Sequence, residues 1–215
     1  MGVYKLSTAG GLATPRTNYS SFLAGNPAYE IPGDYESIAT VTVGGGGSSS
    51  ISFTSIPSTY THLQIRAYIR NTAASGPRAN GLQINGITAN SYRWHYLLGN
   101  GATASASSGT QVDTPYALYF GESPSDNNLS NNFSPMIIDI LDYTNTNKNK
   151  TLRCLTGFDA NGTAPSGNPG NEAGKLFFAS GLFNSTNAIT SLTFTPQAGT
   201  YAQYTQFALY GIKGA

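Results

Sequence analysis

Asp139 and Asp142 are the first residues to weigh for acid–base chemistry, because two carboxylates facing one substrate can divide the roles of acid and base. They lie three apart in PMIIDILDY. On a strand that spacing sends them to opposite faces. They therefore read as solvent or turn carboxylates, one of them within reach of Arg153 on a neighbouring strand. Asp159-Ala-Asn161-Gly opens like a calcium loop but lacks the further acidic ligands and the closing Glu. Glu122 and Asp126 fall in another loop that could add ligands. His62 and His95 are the only histidines, and neither G-x-S-x-G nor H-E-x-x-H occurs. His95 shares a strand face with Ser91 and Arg93. Cys154 is alone, which excludes an intrachain disulfide, and in TLRCLTGF it reads as a small buried hydrophobe. No catalytic constellation emerges, and the sequence predicts neither an enzyme nor a bound cofactor or metal.

Tyr92, Trp94 and Tyr96 fall on one face of SYRWHYLL. Aromatics are favoured in strands, so this face reads first as core. An aromatic face can also stack on the apolar side of sugar rings.

The elements that must position these residues have a period of two. In ESIATVTV, Ala39, Val41 and Val43 alternate with threonines. GGGGSSS then turns the chain and SISFTSI returns it. In THLQIRAYIR, Leu63, Ile65, Ala67 and Ile69 face one way, and His62, Gln64, Arg66, Tyr68 and Arg70 the other. A loop over Asn71–Asn80 precedes the short strand GLQING, and SYRWHYLLG follows. Asn100–Gly109, nearly all Gly, Ala and Ser, reads as a loop. PMIIDILDY, apolar on both faces, reads as a buried central strand. TLRCLTGFD, KLFFASGLF, AITSLTFTP and YAQYTQFALYGI complete ten or eleven strands, with no helical pattern. The expected fold is all-β, a jelly-roll-like antiparallel β-sandwich over residues 35–215.

Residues 1–34 show neither a period of two nor one of 3.6. Isolated apolar residues (Tyr4, Leu6, Leu12, Tyr19, Phe22, Leu23, Tyr29 and Ile31) sit among Gly, Pro, Ser, Thr and Asn. Such a segment builds no core of its own, yet it carries many anchors. It reads as an extended N-terminal arm that binds another protein through them. Fully stretched it would reach on the order of 100 Å.

Only 10% of residues are charged and the net charge is +1, against about 25% charged in ordinary domains. That composition gives no electrostatic case for nucleic acid or an anionic membrane. It suits contacts with other protein surfaces or with neutral sugars. The start of the chain lacks the apolar run of a signal peptide, so folding in a cytoplasm is expected.

YESIATVTV with GGGG and SISFTSIPSTYTHLQIRAYIR, then IIDILDYTNTNKNKTLR, then AITSLTFTPQAGTYAQYTQFALYGIKG, resembles small virion structural proteins of tailed phages, especially those of cyanobacteria and marine bacteria. The arm, with TPRTNY and FLAGNPAY, looks like the amino-terminal extension of such proteins. The resemblance implies a homo-oligomeric virion component assembled in the host cytoplasm. It implies either a capsid cement or decoration protein, whose partners are the major capsid protein or other virion proteins, or a tail-fibre module that meets host glycans. It carries no catalytic motif.

Overall fold

The computed structural model describes residues 34–74, 76–88, 91–111, 118–125, 130–160 and 174–214. The arm up to Gly33, with Tyr4, Leu6, Leu12, Tyr19, Phe22, Leu23, Tyr29 and Ile31, lies outside the described residues, as do Asp126 and Asn161.

Among the described residues there are twelve strands and no helix. They are β1 (Tyr35–Thr42), β2 (Ile51–Phe53), β3 (His62–Ile69), β4 (Arg78–Ile84), β5 (Tyr92–Gly99), β6 (Ala104–Gln111), β7 (Leu118–Ser123), β8 (Ser134–Ile140), β9 (Lys150–Asp159), β10 (Gly174–Phe183), β11 (Leu192–Pro196) and β12 (Gln206–Ile212). The larger sheet has the order β1-β12-β3-β8-β9-β10-β5-β6, and the smaller one β2-β11-β4-β7. The partners of β1, β2, β3 and β4 are β12, β11, β8 and β7, all antiparallel. This is one long hairpin rolled up so that successive pairs alternate between sheets, the jelly roll expected from the sequence. Two inserted pairs, β5 with β6 and β9 with β10, extend one sheet only. An eight-stranded sheet thus faces a four-stranded one and overhangs it beyond β7.

The core forms where period-two strands turn their apolar face inward. Leu63, Ile65, Ala67 and Ile69 of β3 are all buried, as are Met136, Ile138 and Ile140 of β8. Burying each such large aliphatic side chain contributes about 1.5–3 kcal/mol. Phe194 of the small sheet packs against Phe207 of the large one, with ring centroids 4.7 Å apart. It also meets Phe53 and Phe120 edge-on, an arrangement favoured by the ring quadrupole.

Several local expectations change. SISFTSI does not return beside β1. Its strand crosses to the small sheet and pairs with β11, because a rolled hairpin puts consecutive strands in different sheets. Asn100–Gly109 is not a loop throughout, since β6 begins at Ala104 and pairs with the whole of β5. Weak intrinsic preference is overridden there by the ladder of hydrogen bonds that β5 offers. The loop after Asn71 ends sooner than expected, with β4 starting at Arg78. PMIIDILDY is central but not buried on both faces, because Ile137 is 39% exposed. The last strand starts only at Gln206. Before it, Tyr201 makes isolated bridges to Ser48 and Asn71, and Tyr204 turns the chain at φ +72°.

Candidate functional site

The carboxylates weighed for catalysis are ties in the fold. Asp139 Oδ1 accepts from Gln64 Nε2 at 2.8 Å, and Asp139 Oδ2 lies 3.8 Å from Arg153 Nη2. That is the pairing with Arg153 foreseen from the sequence. Asp142 lies just past the strand, at φ +48°. Its carboxylate accepts from Lys148 Nζ at 2.7 Å, which holds its pKa below the ordinary value. Its backbone N–H donates to His62 Nδ1 at 3.0 Å, which occupies that nitrogen as an acceptor. His95 is exposed on the outer face of β5, in register with Ser180 and Ser108. Cys154 is buried in the core, and burial pushes its thiol pKa well up. Glu122 lies on β7 rather than in a loop. Among the described residues no group of three or more His, Cys, Asp or Glu is placed to hold a metal ion.

The aromatic face of β5 divides. Tyr92 is core. It stacks on Phe183 at 5.1 Å, and its hydroxyl donates to Ile87 O at 2.9 Å and accepts from the Ile84 N–H at 3.0 Å. Burial pushes its pKa up to about 12. Trp94 and Tyr96 lie where the large sheet overhangs, and they are only half-buried. Their rings are nearly parallel, with centroids 5.5 Å apart. Tyr119 of β7 leans on both at 5.3 Å. Gly109 makes room for the indole, since a Cβ there would come within 2.4 Å of it.

These rings line a cleft of about 330 Å³ together with Ala79, Asn80, Glu122 and Gln197. A β-bulge shapes its small-sheet wall. Ala79 pairs with Glu122 but Gly81 with Tyr119, so β7 carries one extra residue opposite Asn80. Gly121 takes up the distortion at φ +123°. Glu122 accepts from Lys175 Nζ at 2.6 Å and from the Tyr119 hydroxyl at 3.3 Å. Asn80 is fully buried, and its Nδ2 donates to Ser123 Oγ at 3.2 Å. Asn80 Oδ1 and Trp94 Nε1 are shielded from solvent without a hydrogen bond. Sequence reasoning found the Trp94–Tyr96 face but missed Asn80 and Tyr119, and it placed Glu122 in a loop. No local pattern marks them, and only the pairing of β4 with β7 brings them together.

The opposite face of the same sheet is apolar where an antiparallel sheet facing water would be polar. Ile137 pairs with Leu155, Leu155 with Phe178, and Phe178 with Leu97. The four form one row across β8, β9, β10 and β5, and they are 39%, 50%, 48% and 60% exposed. Leu176, 59% exposed, stands beside the row between Gly99 and Gly157. A groove of about 960 Å³ runs past Ile137, Leu155 and Leu176. The next row of residues is polar: Asp139, Arg153, Ser180, His95 and Ser108.

The described residues define a jelly-roll β-sandwich with an apolar outer band and an aromatic cleft between its sheets. Compared with known proteins, the chain matches no family model, no curated protein and no solved structure.

Proposed function

We propose that this chain is a non-enzymatic structural protein of a bacteriophage particle, a capsid cement or decoration protein that stabilises the shell. The observation that carries this reading is the Ile137–Leu155–Phe178–Leu97 row. A contiguous apolar band on a sheet face is a surface suited to another protein. The arm supplies the second attachment, through Tyr4, Leu6, Leu12, Tyr19, Phe22, Leu23 and Tyr29. Domain and arm bound to different subunits raise each other's effective concentration, so weak contacts add into firm attachment. The low charge content of the chain makes such attachment less sensitive to salt. The jelly roll agrees with the resemblance to small virion proteins.

Quantitative mass spectrometry of purified particles tests the reading. Expected is a copy number comparable to that of the major capsid protein, and loss of the chain from particles when Leu155 and Phe178 are both changed to Lys. Absence of the chain from particles overturns the proposal. A second reading, a tail-fibre or receptor-binding module that meets host glycans, draws on the aromatic cleft. A copy number matching the tail fibres favours it.

A further inference from the structure

We infer that the cleft between β5 and the β4–β7 edge is a binding site for a neutral saccharide, taken up one ring deep. The inference does not depend on where in a particle the chain sits. Trp94 and Tyr96 face the cleft, whereas Leu97 of the apolar band is on the other side of the same strand.

Four properties point to this ligand. First, Asn80 Oδ1 is an acceptor and Trp94 Nε1 a donor, both are buried without partners, and both residues line one cavity. Buried polar groups are otherwise satisfied almost throughout folded proteins. A hydroxyl both donates and accepts, so a polyhydroxylated ligand can answer these atoms where a small shift of the side chains covering them opens them to the cleft. Second, the walls are flat apolar rings, those of Trp94, Tyr96 and Tyr119, which suit the C–H face of a pyranose. Third, among the described residues that line the cleft the one carboxylate, Glu122, is already matched by Lys175 at 2.6 Å. A charged ligand would therefore enter without a counter-charge, which is costly in a shielded site. Fourth, about 330 Å³ is at the small end of ligand cavities, which limits the buried part to a single ring.

The test uses the full chain and its only tryptophan, Trp94. Neutral hexoses, N-acetylhexosamines and their disaccharides are titrated while indole emission and saturation-transfer NMR are followed, with sialic acid as the anionic control. Expected is a saturable response to at least one neutral sugar and none to sialic acid. Tyr96→Leu keeps an apolar side chain but removes the flat ring, and Asn80→Ser removes the amide acceptor. Each is expected to weaken binding about tenfold, as for loss of one good contact. If Asn80→Ser fails to fold, Tyr96→Leu carries the comparison. Thr151→Lys, exposed on β9 away from the cleft, leaves binding unchanged. No saturable response to any neutral sugar overturns the inference and leaves the cleft to water. So does binding confined to sialic acid, or affinity that both cleft variants leave intact.

Discussion

Lys175 Nζ lies 2.6 Å from Glu122 Oε2, and the pair ties β10 of the large sheet to β7 of the small one. The side chains are only 7% and 20% exposed. Removing one partner leaves the other shielded and uncompensated, at a cost of about 3–5 kcal/mol for a buried pair. Lys175→Met is therefore expected to destabilise the fold strongly. Adding Glu122→Gln to it should restore much of the loss. Urea unfolding of the two single variants and the double variant checks this. A double variant as unstable as the sum of the singles would show that the two charges are not coupled.

The two faces of β3 should respond differently to truncation. Ile65 is fully buried between β12 and β8, and Ile65→Ala is expected to cost about 2–5 kcal/mol. Gln64 is on the outer face, yet it is a junction. It donates to Asp139 and accepts from the Tyr35 hydroxyl and from Arg66 Nε. Gln64→Ala is expected to cost about 1–2 kcal/mol, more than an isolated surface residue. Chemical denaturation of both variants measures the gap.

Ending the chain after Thr205 should abolish folding. That deletion removes β12, which lies between β1 and β3, together with Phe207 and Leu209, both fully buried. Two bare strand edges would remain, and these aggregate. Ending after Ile212 keeps β12 and loses the Lys213–Glu36 ion pair and the bond from the Gly214 N–H to Thr61. The longer chain is expected to be soluble with a cooperative melt. A cooperative melt in the shorter one would refute the assignment of β12.

Stability should fall at both ends of the pH scale through one corner of the sheet. Glu36 accepts from Lys213 Nζ at 2.6 Å and from the Tyr60 hydroxyl at 2.9 Å. The Lys213 hydrogen bond is the main cause that holds its pKa below 4.5. A carboxylate with a lowered folded pKa gives stability above its unfolded pKa and loses it as pH falls through the folded one. Lys213 is raised above 10.5, chiefly by Glu36. Its contribution is complete below 10.5 and is lost as pH rises through the folded pKa. Glu36→Gln is expected to flatten both limbs in melts recorded across pH, and unchanged limbs would count against the corner.

How much of this was legible depended on whether a residue's partners are close in the chain. Leu63, Ile65, Ala67 and Ile69 announced their buried face because alternation is a local property. Tyr92, Trp94 and Tyr96 announced a shared face for the same reason. β6 did not, because ASASSGTQ has neither alternation nor bulk. It is a strand because β5 pairs with it and because Gly109 admits the Trp94 ring. Asn80 and Glu122 read as loop residues. Their place in the cleft depends on a bulge between β4 and β7, and no sequence period encodes which strand carries the extra residue.

The pairing of Tyr35 with Ile212 sets a timetable for synthesis. Of the described strands β1 leaves the ribosome first, and its partner β12 leaves last. β2 must likewise wait for β11. Topologies dominated by such distant pairings fold slowly, and their edges stay bare meanwhile. The sandwich can therefore close only once β12 has been translated, and a cell producing it in quantity must shelter the unfinished chains until then.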